Sequence, residues 1–209
     1  MRDKNKRVIV LATRNQGKVA ELKELLAGFN EEIRDLSTFP GVPEVEENEP
    51  SLEGNARRKA RLICQATGRI TIADDSGLEV DYLRGAPGVY SARYSGGPGL
   101  PATDAGNIAK VLHELKGVPQ ERRTARFRTV LAVSAPNGFQ ATFQGVWEGY
   151  IAETLKGEQG FGYDPIFVDP ALNRHAAELS REEKNAVSHR GKALRALLAA
   201  WPDLLPRLG

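Results

Sequence analysis

The chain lacks almost everything that would let a fold be held by something other than its own core. Its single cysteine, Cys64, can form no internal disulfide, and three scattered histidines cannot complete a Cys/His zinc set. Long apolar runs are also missing. The apolar stretch near the start runs only from Val8 to Ala12, against about 7–15 residues for a signal peptide and about 20 for a membrane span. Neither sign of charge is in excess: 29 Lys and Arg stand against 27 Asp and Glu, for a net +2. That balance speaks against a dedicated nucleic-acid binder and against an acidic disordered protein. These absences predict a soluble, cytoplasmic protein in a reducing setting. At 209 residues a chain can bury about 70% of its unfolded surface, so one domain over 1–209 is expected without staples.

What is present alternates between strand and helix patterns. Val8 to Ala12 is β-branched and continuous, as in a strand buried on both faces. A polar turn follows, and then Val19, Leu22, Leu25 and Leu26 recur at helical spacing. A weak strand is expected over Ile33 to Leu36, and a loop over 40–50. Ser51 can cap a helix with Leu52, Ala56, Ala60 and Ile63 on one face, which Gly68 ends. Ile70 to Ala73 reads as a short buried strand with Asp74-Asp75-Ser76-Gly77 at its carboxyl end. The glycine- and proline-rich stretch from Gly85 to Pro101 is a long loop, and loops of that length are usually functional or disordered. Thr103 or Asp104 begins a helix striped by Ile108, Val111, Leu112 and Leu115. Alternation from Ala125 to Val133, a Pro136-Asn137-Gly138 turn and a return through Phe139 to Trp147 predict a hairpin, with Arg126 and Arg128 on a solvated face. Ala193 to Trp201 forms a last amphipathic helix, with Pro202 as its stop. The class is α/β.

Four polar clusters exceed what structure alone requires. Thr13, Asn15 and Lys18 lie between a strand and a helix, where free N–H groups and a lysine suit phosphate, although a polar turn explains them as well. Adjacent Asp74 and Asp75 repel one another unless a cation is near, and Mg²⁺ takes one or two carboxylates plus phosphates and water; a helix-cap or turn pair is the competing reading. Glu44, Glu46, Glu47 and Glu49 read by themselves as a solvated face, from which Glu46 or Glu47 could complete a metal site with Asp75. In the fourth cluster, Gly160 to Pro165 combines glycines with aromatic rings. Ser180 and Glu183 form a capping box for a helical turn carrying Lys184. Ser188 then caps the final helix with His189 and Arg190 in its first turn, where cations are disfavoured unless an anion or acceptor is bound.

Taken together these segments resemble the inosine triphosphate pyrophosphatase family, house-cleaning enzymes also called XTP/dITP diphosphatases. The matching stretches are Thr13-Arg14-Asn15-Gln16-Gly17-Lys18, Asn55-Ala56, Ala73 to Leu78, Gly85-Ala86-Pro87-Gly88, Ser91 to Tyr94, Phe161-Gly162-Tyr163-Asp164-Pro165 and Ser188-His189-Arg190. They run in the family's order over nearly the whole chain. The resemblance implies an elongated central mixed β-sheet flanked by helices, with two lobes and the active-site cleft between them. It also implies a homodimer, Mg²⁺ dependence, and cleavage of the α–β phosphoanhydride of ITP, dITP and XTP. By motif, Thr13, Arg14, Asn15, Gln16, Gly17 and Lys18 would line the phosphates, and Asp75 would be general base and metal ligand. Ser76, Phe161, Gly162, Tyr163, Asp164, Lys184, His189 and Arg190 would contact the nucleotide, and Glu46 or Glu47 would be the second metal ligand.

Two other readings compete. One is a metal-dependent pyrophosphatase of other modified nucleotides. The other is a nucleotide- or RNA-binding module built on Arg57, Arg58, Lys59 and Arg61 with Arg122, Arg123, Arg126 and Arg128. Such a module has no need of carboxylates beside a phosphate loop.

Overall fold

The computed structural model describes residues 6–97 and 100–209; the Gly85–Pro101 loop expected from sequence therefore lies partly outside the described residues. In chain order the elements are β1 (Val8–Leu11), α1 (Gln16–Leu25), β2 (Glu32–Asp35), α2 (Leu52–Thr67), β3 (Ile70–Val80), α3 (Asp104–Glu114), β4 (Thr124–Ser134), β5 (Gln140–Ile151), β6 (Phe167–Asp169), β7 (Arg174–His175), α4 (Arg181–Val187) and α5 (His189–Leu204). The seven strands form one sheet in the order β2-β1-β3-β4-β5-β6-β7. β1 pairs in parallel with β2 and β3, and β6 pairs antiparallel with β5 and β7, so the sheet is mixed. The α/β class stands.

The chain divides into two compact units. The first comprises residues up to Asp75, Val130–Gln144 and Ala193–Gly209; the second comprises Ser76–Thr129 and Gly145–Lys192. Each has its own core. In the first, Ile9 and Leu11 of β1 pack with Leu22 of α1, Ile72 of β3, Leu131 of β4 and Leu197 of α5. In the second, Leu78 and Val80 of β3 join Val111 of α3, Leu115 just after it, Phe127 of β4 and Trp147 of β5. Burying one such side chain contributes about 1.5–3 kcal/mol.

The caps follow the sequence closely. Ser51 accepts the Gly54 N–H at 3.0 Å, and Gly68 closes α2 in the left-handed region at φ 62°. Two expectations need correction. Asp74 to Gly77 lies inside β3, because the strand continues through Leu78 and Val80, both fully buried. Pro202 does not stop α5, which runs to Leu204; the turn holds because Trp201, Leu204 and Leu208 all stay buried on the core.

The first unit also carries a titratable surface pair. Asp35, at the end of β2, binds the Lys23 ammonium and the Ser37 hydroxyl. The Lys23 bond first, then Ser37, holds its carboxyl at about 2, below the usual 3.8. A depressed acid adds stability that is present above the unfolded pKa and lost as pH falls through the folded one. Asp35→Asn keeps an N-cap oxygen and removes the charge. It should destabilise by under about 1 kcal/mol at pH 7, as expected for a surface pair. In urea titrations from pH 7 to 3, the difference from wild type should be flat down to about pH 5 and shrink below about pH 4.

Candidate active site

In the first unit, the turn between β1 and α1 is tied to itself. Asn15 caps α1 by accepting the Lys18 N–H at 3.1 Å, and its own N–H reaches the Thr13 hydroxyl at 3.2 Å. Gln16 donates to the Arg14 carbonyl at 3.4 Å. The Arg14 guanidinium turns away to the Val42 carbonyl at 2.7 Å, bracing the 40–50 loop. Lys18 crosses from this turn to Asp74 on β3 at 2.5 Å. Asp74 is buried, and so is Asp75 beside it.

Lys59 organises the rest of this half. Its ammonium donates to Glu47 at 2.6 Å, to Asp75 at 2.9 Å and to the Asp74 carbonyl at 2.8 Å. Of the two candidate glutamates, Glu47 is therefore the one brought to Asp75. Glu46 is exposed, with an oxygen 3.5 Å from the Asn48 amide. Burial pushes the Asp75 carboxyl above its ordinary range, only partly offset by Lys59 and Lys18 and reinforced by Glu47. Burial works against charge on Lys59 too, but the carboxylates of Asp75 and Glu47 outweigh it and hold the ammonium protonated.

Sequence reading placed Lys59 among outward basic residues and missed this role. Its signal was present: Lys59 shares a helical face with Asn55, Ala56 and Ile63, all buried, and a lysine on such a face must find carboxylates. Five of the other seven members of that basic group are paired or buried, and Arg61 and Arg122 are exposed. Arg57 pairs with Glu53, Arg58 with Glu49, Arg126 with Asp81 and Glu148, and Arg128 with Glu79. Arg123 is buried. Arg126 and Arg128 are thus paired across the sheet surface and are not simply solvated.

In the second unit, Ser76 accepts from the Arg190 guanidinium at 3.0 Å. Gly77 follows because a Cβ there would fall 2.3 Å from the Gly88 carbonyl oxygen. The approach is held by Ser91, whose hydroxyl accepts the Leu78 N–H at 2.9 Å and donates to that same Gly88 carbonyl at 2.6 Å. Tyr163 donates its phenol to the Ser91 carbonyl at 2.8 Å, which links the Gly85–Gly88 and Phe161–Pro165 segments. Burial raises the Tyr163 phenol far above its ordinary pKa, so it remains a donor.

Around the Phe161 turn, Asp164 accepts the Phe161 N–H at 2.9 Å and pairs with Lys184 at 2.5 Å. The Lys184 ammonium and Arg190 guanidinium lie 5.1 and 5.6 Å from the Phe161 ring centre. His189 is buried, its ring stacked on Phe127 at 4.9 Å, and Ser188 caps α5 through the Gly191 N–H at 3.1 Å. Two buried cations beside an aromatic face form a surface suited to a flat, acceptor-bearing ligand. The phosphate-type turn and clustered carboxylates thus lie in the first unit, and the aromatic and cationic set in the second.

The family model for Ham1 matches residues 9–200 of this sequence. The chain belongs to the Ham1 family. It is 56% identical over 200 residues to a dITP/XTP pyrophosphatase of Nitratidesulfovibrio vulgaris, covering 94% of this chain and 97% of that one. To a protein of the same description from Desulforamulus reducens it is 52% identical, with 96% of each covered. Among solved structures, a HAM1 protein from Coxiella burnetii superposes with a TM-score of 0.84 at 43% identity, covering 94% of this chain and 99% of that one. Ham1 membership and the mixed sheet therefore agree. Among the described residues, no helix is long and apolar enough to cross a membrane, and no three His, Cys, Asp or Glu residues are grouped to hold a metal.

Proposed function

We propose that the chain hydrolyses ITP, dITP and XTP to the nucleoside monophosphate and pyrophosphate. The observation that carries this reading is the charge arrangement of the first unit. Lys18 and Lys59 are interleaved with Asp74, Asp75 and Glu47. Two ammoniums against three carboxylates leave one negative charge in excess, and a triphosphate adds more. Such a site needs a cation. Asp75 and Glu47 suit Mg²⁺, which takes one or two protein carboxylates and completes its shell with phosphate oxygens and water. Bound there, Mg²⁺ would neutralise phosphate charge and favour departure of pyrophosphate.

The chain's own residues do the rest. Lys18, with the free N–H groups that open α1, receives phosphate oxygens. Asp75 orients the attacking water and accepts its proton. Positioning and electrostatics dominate phosphoryl-type transfer, so no covalent intermediate is required. The relatives' description as dITP/XTP pyrophosphatases supports the same substrates.

In the second unit, Arg190 and His189 read the base. Hypoxanthine and xanthine carry an acceptor at the 6-position where adenine carries an amino donor. A buried donor left facing a donor can reject the wrong base by roughly 10⁴-fold. Arg190→Ala should lower kcat/KM for dITP and shrink the dITP over dATP ratio by at least about tenfold. An unchanged ratio, measured by initial rates on both nucleotides, means that the base is read elsewhere.

A panel of ITP, dITP, XTP, the common triphosphates and modified pyrimidine triphosphates, scored for pyrophosphate with Mg²⁺ and with EDTA, tests the reading against the alternative pyrophosphatase. The resemblance further implies a homodimer in the cytoplasm, which light scattering and cell fractionation test.

A further inference from the structure

Two carboxylates grip the Phe161 turn, and only one of them belongs to its own motif. Asp164 takes the Phe161 N–H. Asp104, at the start of α3, takes the Gly162 N–H at 2.7 Å. That N–H and the Phe161 carbonyl belong to one peptide unit, and the carbonyl end accepts from the Asp164 N–H at a longer 3.3 Å. Gly162, whose Cα bounds this peptide, sits at φ 61°. Glycine visits both signs of φ at little cost, so this peptide can flip unless it is pinned. A charged acceptor at 2.7 Å is the stronger of its two restraints.

Asp104 is itself well placed to act as an anchor. It is the first residue of α3, where the helix dipole favours a carboxylate, and Thr103 caps the same turn through the Gly106 N–H at 3.1 Å. One turn on, Ile108 and Val111 are buried in the second core, and Asn107 accepts from the Ser95 N–H at 2.7 Å and hydroxyl at 2.8 Å.

We propose that Asp104 is a positioning residue. It fixes the Phe161–Gly162 peptide, and through it the Phe161 ring beside Lys184 and Arg190. The kinetic consequence rests on the function proposed above; the clamp itself does not.

Two variants and two readouts test it. Asp104→Ala should raise KM for dITP about tenfold with kcat within about twofold, because the restraint serves ground and transition states alike. Asp104→Asn keeps an acceptor oxygen and should stay within about threefold of wild type in KM. In the free protein, hydrogen exchange at the Gly162 amide, read by NMR, should accelerate about tenfold in Asp104→Ala and less in Asp104→Asn. Unchanged Gly162 exchange, unchanged KM, equal losses in both variants, or unfolding of Asp104→Ala would each overturn the proposal. Should the wild type fail to cleave dITP, the proposed function falls, while amide exchange, which needs no substrate, still decides for or against the clamp.

Discussion

Asp75→Asn should lower kcat for dITP by about 10³ or more while the protein stays folded. The size follows from the loss of a general base, which alone contributes about 10²–10⁴, together with the loss of a carboxylate from a cation site. The fold should survive because the amide oxygen can still accept from Lys59, which also keeps Glu47 at 2.6 Å and the Asp74 carbonyl at 2.8 Å. Burial already disfavours the ionised form of Asp75, so an uncharged isostere removes that penalty. A raised acid pKa means that the penalty applies above the folded pKa and fades as pH falls below it. Thermal unfolding should therefore show the variant at its best relative to wild type near neutrality. Retained turnover would remove Asp75 from the chemistry. A folded, inactive variant would keep it there.

The largest structural effect is expected in the second unit, at Arg123. This side chain is 2% exposed, and its guanidinium forks onto three carbonyls: Ile151 at 2.7 Å, Ala152 at 2.9 Å and Leu115 at 3.2 Å. Burial lowers its pKa, and Glu153 at 3.8 Å offers partial compensation. Arg123 thus joins the end of α3, the start of β4 and the end of β5. Truncation to Ala removes the guanidinium donor from the Ile151 and Ala152 carbonyls, while Leu115 keeps the Val118 N–H at 3.1 Å, and it opens a cavity. At about 1–3 kcal/mol for each unsatisfied buried group, a loss of about 3–5 kcal/mol is expected. Arg123→Lys should recover only part of this, because one ammonium cannot reproduce a planar fork. Chemical denaturation of the three proteins measures it. A loss under about 1 kcal/mol in Arg123→Ala would mean that water satisfies those carbonyls equally well.

These two residues also mark how far the sequence could be read. Elements governed by near neighbours were legible: Ser51 and Gly68 bracket α2, Ser180 caps α4, and the Pro136-Asn137-Gly138 turn separates β4 from β5. So was the order of the motif segments. What escaped depends on partners distant in the chain. Lys59 meets Asp75 sixteen residues on, and Arg123 meets Ile151 twenty-eight residues on. Both cations looked like members of a surface patch because composition records charge and not burial. Glu46 and Glu47 could not be separated, since neighbouring side chains in an extended loop face opposite ways and only the position of Lys59 distinguishes them. Asp74 to Gly77 looked like a strand end because aspartate and serine favour turns. The strand continues because a missing Cβ at Gly77 lets the Gly88 carbonyl come close.

The most direct measurement is product identification by ³¹P NMR with dITP and Mg²⁺. Hydrolysis by the proposed route yields equal amounts of dIMP and pyrophosphate, no orthophosphate, and no reaction in EDTA. Release of orthophosphate with dIDP, or cleavage of dATP at a rate equal to that of dITP, would contradict it.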